Sequence, residues 1–151
     1  MSLKRLLAGA LLAAAGAWAA LAWPRLNDVE TGRSPEYPDL QVREYAASPE
    51  AVSSAVIAVV SRLPRWRLLG SGSGSMGSEV RALHSTLVFR FKDDVVVKIR
   101  RVQGRTRVSV RSSSRLGQWD FGQNARNIRE LLAALDEELR GKPPLALRQL
   151  R

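Results

Sequence analysis

Hydrophobic and polar positions alternate along this chain with two periods, one near 3.6 residues and one of two. Val52, Val56, Val59 and Leu63 fall at helical spacing and predict an amphipathic helix. Ser48-Pro49-Glu50 opens it, with Ser48 as N-cap, Pro49 at the first helical position and Glu50 near the positive end of the dipole. Pro64 stops it. A second helix starts near Asp120, where Asp120 and Gln123 make a capping-box pattern. Ile128, Leu132, Leu135 and Leu139 form its apolar stripe, and Gly141 and Pro143 end it.

The period-two segments predict strands. Gln41 to Ala46 reads as a short first strand and Trp66 to Leu69 as a second. Glu79 to Phe91 reads as a long third, with Leu83, Leu87, Phe89 and Phe91 on one face and His84, Arg90 and Lys92 outward. Lys92-Asp93-Asp94 then reads as a turn, because adjacent carboxylates point apart and suit a hairpin better than a shared proton. Val95, Val97 and Ile99 face inward on the fourth strand, with Lys98 and Arg100 outward. After the turn Gln103-Gly104-Arg105, Val108 and Val110 continue the inner face, with Arg107, Ser109 and Arg111 outside. The run Gly70 to Ser78, GSGSGSMGS, reads as a flexible hairpin tip. It lacks the Lys-Ser/Thr ending and following helix of a phosphate loop.

The predicted order is β-α-β-β-β-β-α after an N-terminal apolar helix. This is a two-layer α+β fold, an antiparallel meander of about five strands covered on one face by two helices. The expected organisation is a signal peptide or membrane anchor over 1–23, an extended lead-in with three prolines over 24–40, the α+β domain over 41–141 and a flexible basic tail over 142–151. Lys4 and Arg5 precede Leu6 to Trp23, which carries no charge. Those 18 residues make a helix of about 27 Å, at the margin of what spans a bilayer core. Ala20-Leu21-Ala22 fits a cleavage site, and Trp18 and Trp23 fit interface anchors, so removal and retention both stay open. Either way the expected location is outside the cytosol, in the periplasm or on the outer face of the cytoplasmic membrane.

Charge changes the picture next. The net charge is +10, and Lys98 to Arg115 holds seven basic residues and no acid. Such a face attracts anionic lipid or an acidic envelope partner. Export and the scarcity of aromatics near the run argue against nucleic acid. With no cysteine and one histidine, thiol chemistry and a clustered metal site are not expected, and no cofactor is implied. His84 has no nucleophile-elbow serine near it in sequence, and Trp66 reads as a core anchor.

The most particular stretch is RSSSRLGQWDFGQN, Arg111 to Asn124. It leads from a strand into a helix N-terminus, where free amides and arginines hold anions. The candidate anion or partner site comprises Arg111, Ser112, Ser114, Arg115, Gly117, Asp120, Gly122 and Asn124, with Lys98, Arg100 and Arg107 from the sheet face. Asp120 at the helix end, with the arginines paired to Asp120, Asp93 or Asp94, is the purely structural alternative.

Asn27-Asp28-Val29 with Thr31, Leu63-Pro64 with Trp66, Asp93-Asp94-Val95-Val96-Val97 and the block Arg111 to Arg129 together resemble the bacterial and plastid domain of unknown function 1499 family, over about residues 25–139. The resemblance implies an exported or membrane-attached protein and brings no activity, cofactor or catalytic residue. Trp119 stands where the family more usually has a smaller or polar residue.

The expectation is a non-enzymatic exported domain that binds a lipid head group or envelope protein through its basic sheet face and the Arg111–Asn124 loop. A carrier of a small apolar ligand, held between sheet and C-terminal helix, is the alternative. An enclosed apolar cavity of about 300 Å³ there would mark it. An envelope ester hydrolase rests on the serine cluster alone. Oligomeric state is not encoded in any pattern here.

Overall fold

Valine and isoleucine at every second position bring the last two strands together, β5 (Lys92–Val102) and β6 (Arg105–Ser114). Val97 pairs with Val110 and Ile99 with Val108, and all four side chains are buried. The turn between them uses left-handed backbone at Gln103 and Gly104. In this computed structural model, residues 3–22 and 26–140 are described. The other elements are α1 (Leu3–Ala22), β1 (Asp28–Glu30), β2 (Arg43–Tyr45), α2 (Pro49–Arg62), β3 (Trp66–Gly74), β4 (Gly77–Ser85) and α3 (Gln123–Arg140). The sheet runs β1-β6-β5-β4-β3, all antiparallel, and β2 also pairs with β6.

The α+β expectation is met: helices on one face, an antiparallel meander, and a core between them. Ser48 caps α2 by accepting the Ala51 amide at 3.2 Å, and Leu63 ends it. Val52, Val56, Val59 and Val60 of α2 and Ile128, Leu131, Leu132 and Leu135 of α3 are fully or almost fully buried against the inner sheet valines. Each such side chain contributes about 1.5–3 kcal/mol of burial. Trp66 is buried in the same core, with its indole nitrogen donating to Glu130 at 2.9 Å. On α1, Leu7, Leu11, Leu12 and Trp18 are exposed. Among the described residues no helix is long and apolar enough to cross a membrane. Trp23, Gly141, Pro143 and the tail 142–151 lie outside the described residues.

Several boundaries differ from the sequence expectation, each for a local reason. The lead-in contains β1, because Val29 is an inward residue that joins the core beside β6. Gly70 to Ser78 is largely strand, not a loose tip. β3 and β4 pair as far as Gly74 and Gly77, which leaves Ser75-Met76 as the turn. The third strand ends at Ser85 rather than Phe91. β5 begins at Lys92, so residues beyond Ser85 have no strand to pair with, and Thr86 and Phe91 close a loop through two hydrogen bonds of 2.9 Å. Leu87, Phe89 and Phe91 are therefore exposed. Lys92-Asp93-Asp94 is strand rather than turn, and His84 faces inward rather than out. The capping box does not close: the Gln123 side chain donates to Asn127 instead.

Gly77 sets the β3–β4 hairpin. Its φ is +124°, and a Cβ there would lie 2.3 Å from the Ile99 carbonyl oxygen. Gly77→Ala is expected to cost about 2 kcal/mol or more in chemical denaturation. Gly74→Ala, which meets nothing within 4 Å, is expected to be near neutral. Equal effects at the two positions would contradict this register.

Candidate functional site

Strand alternation decides which polar groups of the Arg111–Asn124 segment turn inward. Ser112 and Ser114 share a face with Val108 and Val110, and the register sets Ser114 opposite Asp93 and His84 opposite Asp93. One turn of α3 brings Asn124 and Asn127 down onto the same spot. His84 and Asp93 are each only 1% exposed, and Ser112, Asn124 and Asn127 are fully buried.

Every group in this cluster answers another. The Asp93 carboxylate accepts from Ser114 Oγ at 2.8 Å, from Asn127 Nδ2 at 2.9 Å and from His84 Nδ1 at 3.4 Å. Ser112 Oγ donates to Asn124 Oδ1 at 2.6 Å and accepts from Asn127 Nδ2 at 3.2 Å. Asn124 Nδ2 donates to Ser114 Oγ and to the Asn27 carbonyl, both at 3.0 Å. Burial pushes the Asp93 carboxyl up, but the bonds from His84, Asn127 and Ser114 together outweigh it and hold it below the usual carboxylate range.

Asp120 occupies the end of α3, where an external anion was expected. Its carboxylate accepts the Gly122 amide at 2.8 Å and the Asn124 amide at 2.7 Å. Gly117 and Gly122 supply the left-handed backbone of this loop, and the Gly117 carbonyl accepts from Asn27 Nδ2 at 2.9 Å. The sequence-predicted loop residues are thus brought together, but they bind one another.

The arginines divide likewise. Arg111 forks onto Asp28, and Arg115 holds both oxygens of Asp94 at 2.7 Å. Bonding to those carboxylates raises both guanidinium pKa values. Arg107 pairs with Glu44 at 3.0 Å. Lys98 and Arg100 are different. Both are exposed on β5, and among the described residues neither has a carboxylate within 4 Å. Lys98 lines two adjoining outer-face grooves, one of about 460 Å³ with Ser109, Arg111 and Arg115, the other of about 260 Å³ with Arg33, Arg100 and Arg107.

The cluster gives no serine an imidazole base. Ser114 donates to Asp93 and Ser112 to Asn124, while the imidazole of His84 meets the carboxylate directly. Among the described residues no three His, Cys, Asp or Glu side chains gather as metal ligands.

The family model described as "Protein of unknown function (DUF1499)" matches residues 20–135. The chain belongs to the DUF1499 family. The match spans β1 through most of α3, so the buried network lies wholly inside the DUF1499 region. No curated protein matches the chain. Among solved structures, this DUF1499 chain is similar to protein CV1439 from Chromobacterium violaceum, at 11% identity over 77% of this chain and 99% of that one, with a TM-score of 0.43. It is also similar to TTHA0849 from Thermus thermophilus (13% identity, 75% and 97% covered, TM-score 0.38). A third is the Aha1 dimer from Colwellia psychrerythraea (16% identity, 77% and 98% covered, TM-score 0.39).

Proposed function

We propose that this chain is a non-enzymatic envelope domain, exported and membrane-associated, that binds an anionic partner on the outer face of its sheet. The observation that carries the reading is the pair Lys98 and Arg100, two exposed cations that have no carboxylate partner among the described residues, Lys98 where the two open grooves adjoin and Arg100 on the smaller one. Arg81, Arg107, Arg111 and Arg115 of the same face are matched by acids, which leaves β5 as the stretch where two such cations stand one residue apart. The buried Ser112–Asn124 cluster shapes the fold behind that face. A carried ligand between sheet and helix would have to share that space with the inner sheet valines and the α3 leucines, which are buried against one another there.

The test is a titration of the isotope-labelled chain with glycerophosphate and, separately, with an acidic peptide. Amide shifts are expected at Lys98, Arg100 and Ser109. Lys98→Glu with Arg100→Glu is expected to weaken the titration by about tenfold or more, at about 1 kcal/mol for each cation. Unmoved amides with both probes would defeat the reading.

A further inference from the structure

A different surface carries a further inference. The β4–β5 loop and the β6–α3 loop come from distant parts of the chain and meet at one end of the sheet. Together they expose Leu87, Val88, Phe89, Phe91, Leu116 and Phe121, the first three at 73–76%. They wall a groove of about 320 Å³ whose lining is mostly carbon. The rings of Phe89 and Phe91 lie 5.4 Å apart, and those of Trp119 and Phe121 lie 5.9 Å apart. Soluble surfaces rarely gather so many large apolar side chains without something to cover them.

Backbone conformation points the same way. Arg90 has φ +53° and Phe121 has φ +50°. Left-handed backbone costs a bulky residue about 1–2 kcal/mol, and Phe121, still 51% exposed, recovers little of that through packing. The strain holds an aromatic ring out at the tip rather than in the core.

Two observations identify the occupant. The first is charge. Arg90, Lys92 and Arg126 flank the apolar tips, and among the described residues none of them has a carboxylate partner. The acids facing the groove, Asp93 and Asp120, are buried and engaged internally. The second is where the chain joins the domain. Asp120 N donates to the Leu26 carbonyl at 3.1 Å, and Asn27 binds the Gly117 carbonyl. The uncharged segment Leu6–Trp23 thus connects at this same loop. Four Cα steps separate Ala22 from Leu26, at most about 15 Å. Apolar tips with a cationic rim, beside an apolar leader, match the chemistry of a bilayer interface.

We propose that the loops 86–91 and 115–122 form a docking surface for an anionic lipid bilayer. Leu87, Val88, Phe89, Leu116 and Phe121 enter the interfacial layer, and Arg90, Lys92 and Arg126 lie at head-group level. The domain then stands on its loop end, with the outer sheet face to one side. This surface uses other residues than Lys98 and Arg100, so either assignment can fail alone.

The chain has no cysteine, so a single introduced thiol carries one dye. Leu87→Cys and Leu116→Cys report the loops. Met76→Cys, 75% exposed on the β3–β4 turn at the opposite end, is the control. The 151-residue chain is reconstituted into phosphatidylcholine vesicles containing phosphatidylglycerol, with matched unfolding transitions confirming that each variant folds. The expected result is blue-shifted emission at 87 and 116, quenched by spin-labelled lipid, with neither change at 76. Arg90→Glu with Arg126→Glu is expected to reverse the quenching at 87 and 116. Loop dyes as open to aqueous iodide as the control overturn the proposal. Shielding that appears without lipid also overturns it, in favour of a second copy or of the chain's own N-terminal segment.

Discussion

Asp93→Ala is expected to lower the unfolding free energy by about 3–5 kcal/mol, a large fraction of what a domain of this size has. The reason lies in what the alanine leaves behind. His84, Ser114 and Asn127 all aim donors at this carboxylate, and two of them, His84 and Asn127, are buried away from water. Each stranded buried donor costs about 1–3 kcal/mol. Denaturant titration at neutral pH reads the loss directly, and a change below about 1 kcal/mol would mean the network is not worth what its geometry implies. The same residue gives a pH signature. Its folded pKa is depressed, so its contribution is fully present above the unfolded value of about 4 and is lost as pH falls through the lower folded value. Asp93→Asn removes that proton-binding site, so the acid limb of the stability profile is expected to flatten.

Asn124→Asp is the second large effect. The substitution preserves shape and removes both hydrogens that Nδ2 gives to the Asn27 carbonyl and to Ser114. It also brings a carboxylate one hydroxyl away from Asp93, since Ser114 Oγ touches both. A fully buried negative charge facing a carbonyl keeps only the Ser112 hydroxyl as a donor, and the expected cost is about 3 kcal/mol at neutral pH. The penalty is expected to shrink in mild acid, where protonation restores one donor. A thermal melt at several pH values checks both points. A penalty independent of pH would show that the new side chain escapes the cluster.

What the sequence made legible followed from periodicity. Val95, Val97 and Ile99 against Val108 and Val110 specify two strands and their register, and the valine and leucine stripes specify the helix faces. The buried network was less legible, although its signal was present. Asp93 shares parity with Val95, and His84 with Val80 and Ala82, so parity points both inward, against the reading of His84 as outward and of Asp93 as part of a turn. A pair of aspartates looks like a turn because acids usually seek solvent. Here the register overrides that preference, since three partners wait on neighbouring elements. The apolar loop tips were misread for the opposite reason. Leu87, Phe89 and Phe91 continue the alternation of β4, but a strand also needs a neighbour, and β5 starts too late to provide one. For the anion site, residue type was a fair guide to location and a poor one to role. The serines, Asp120 and Asn124 do gather, yet backbone and side-chain donors within the protein already use their oxygens.

The glycine–serine repeat of β3 has one more consequence. β3 forms the sheet margin away from β1, and its second half presents Ser71, Gly72, Ser73 and Gly74 to solvent. Such a margin is a natural template for an incoming strand from another molecule, and hence for aggregation. Small, weakly strand-forming residues make it a poor one. A protein that leaves large apolar tips uncovered at one end gains by keeping its open margin unattractive, so that molecules brought together by those tips do not zip edge to edge.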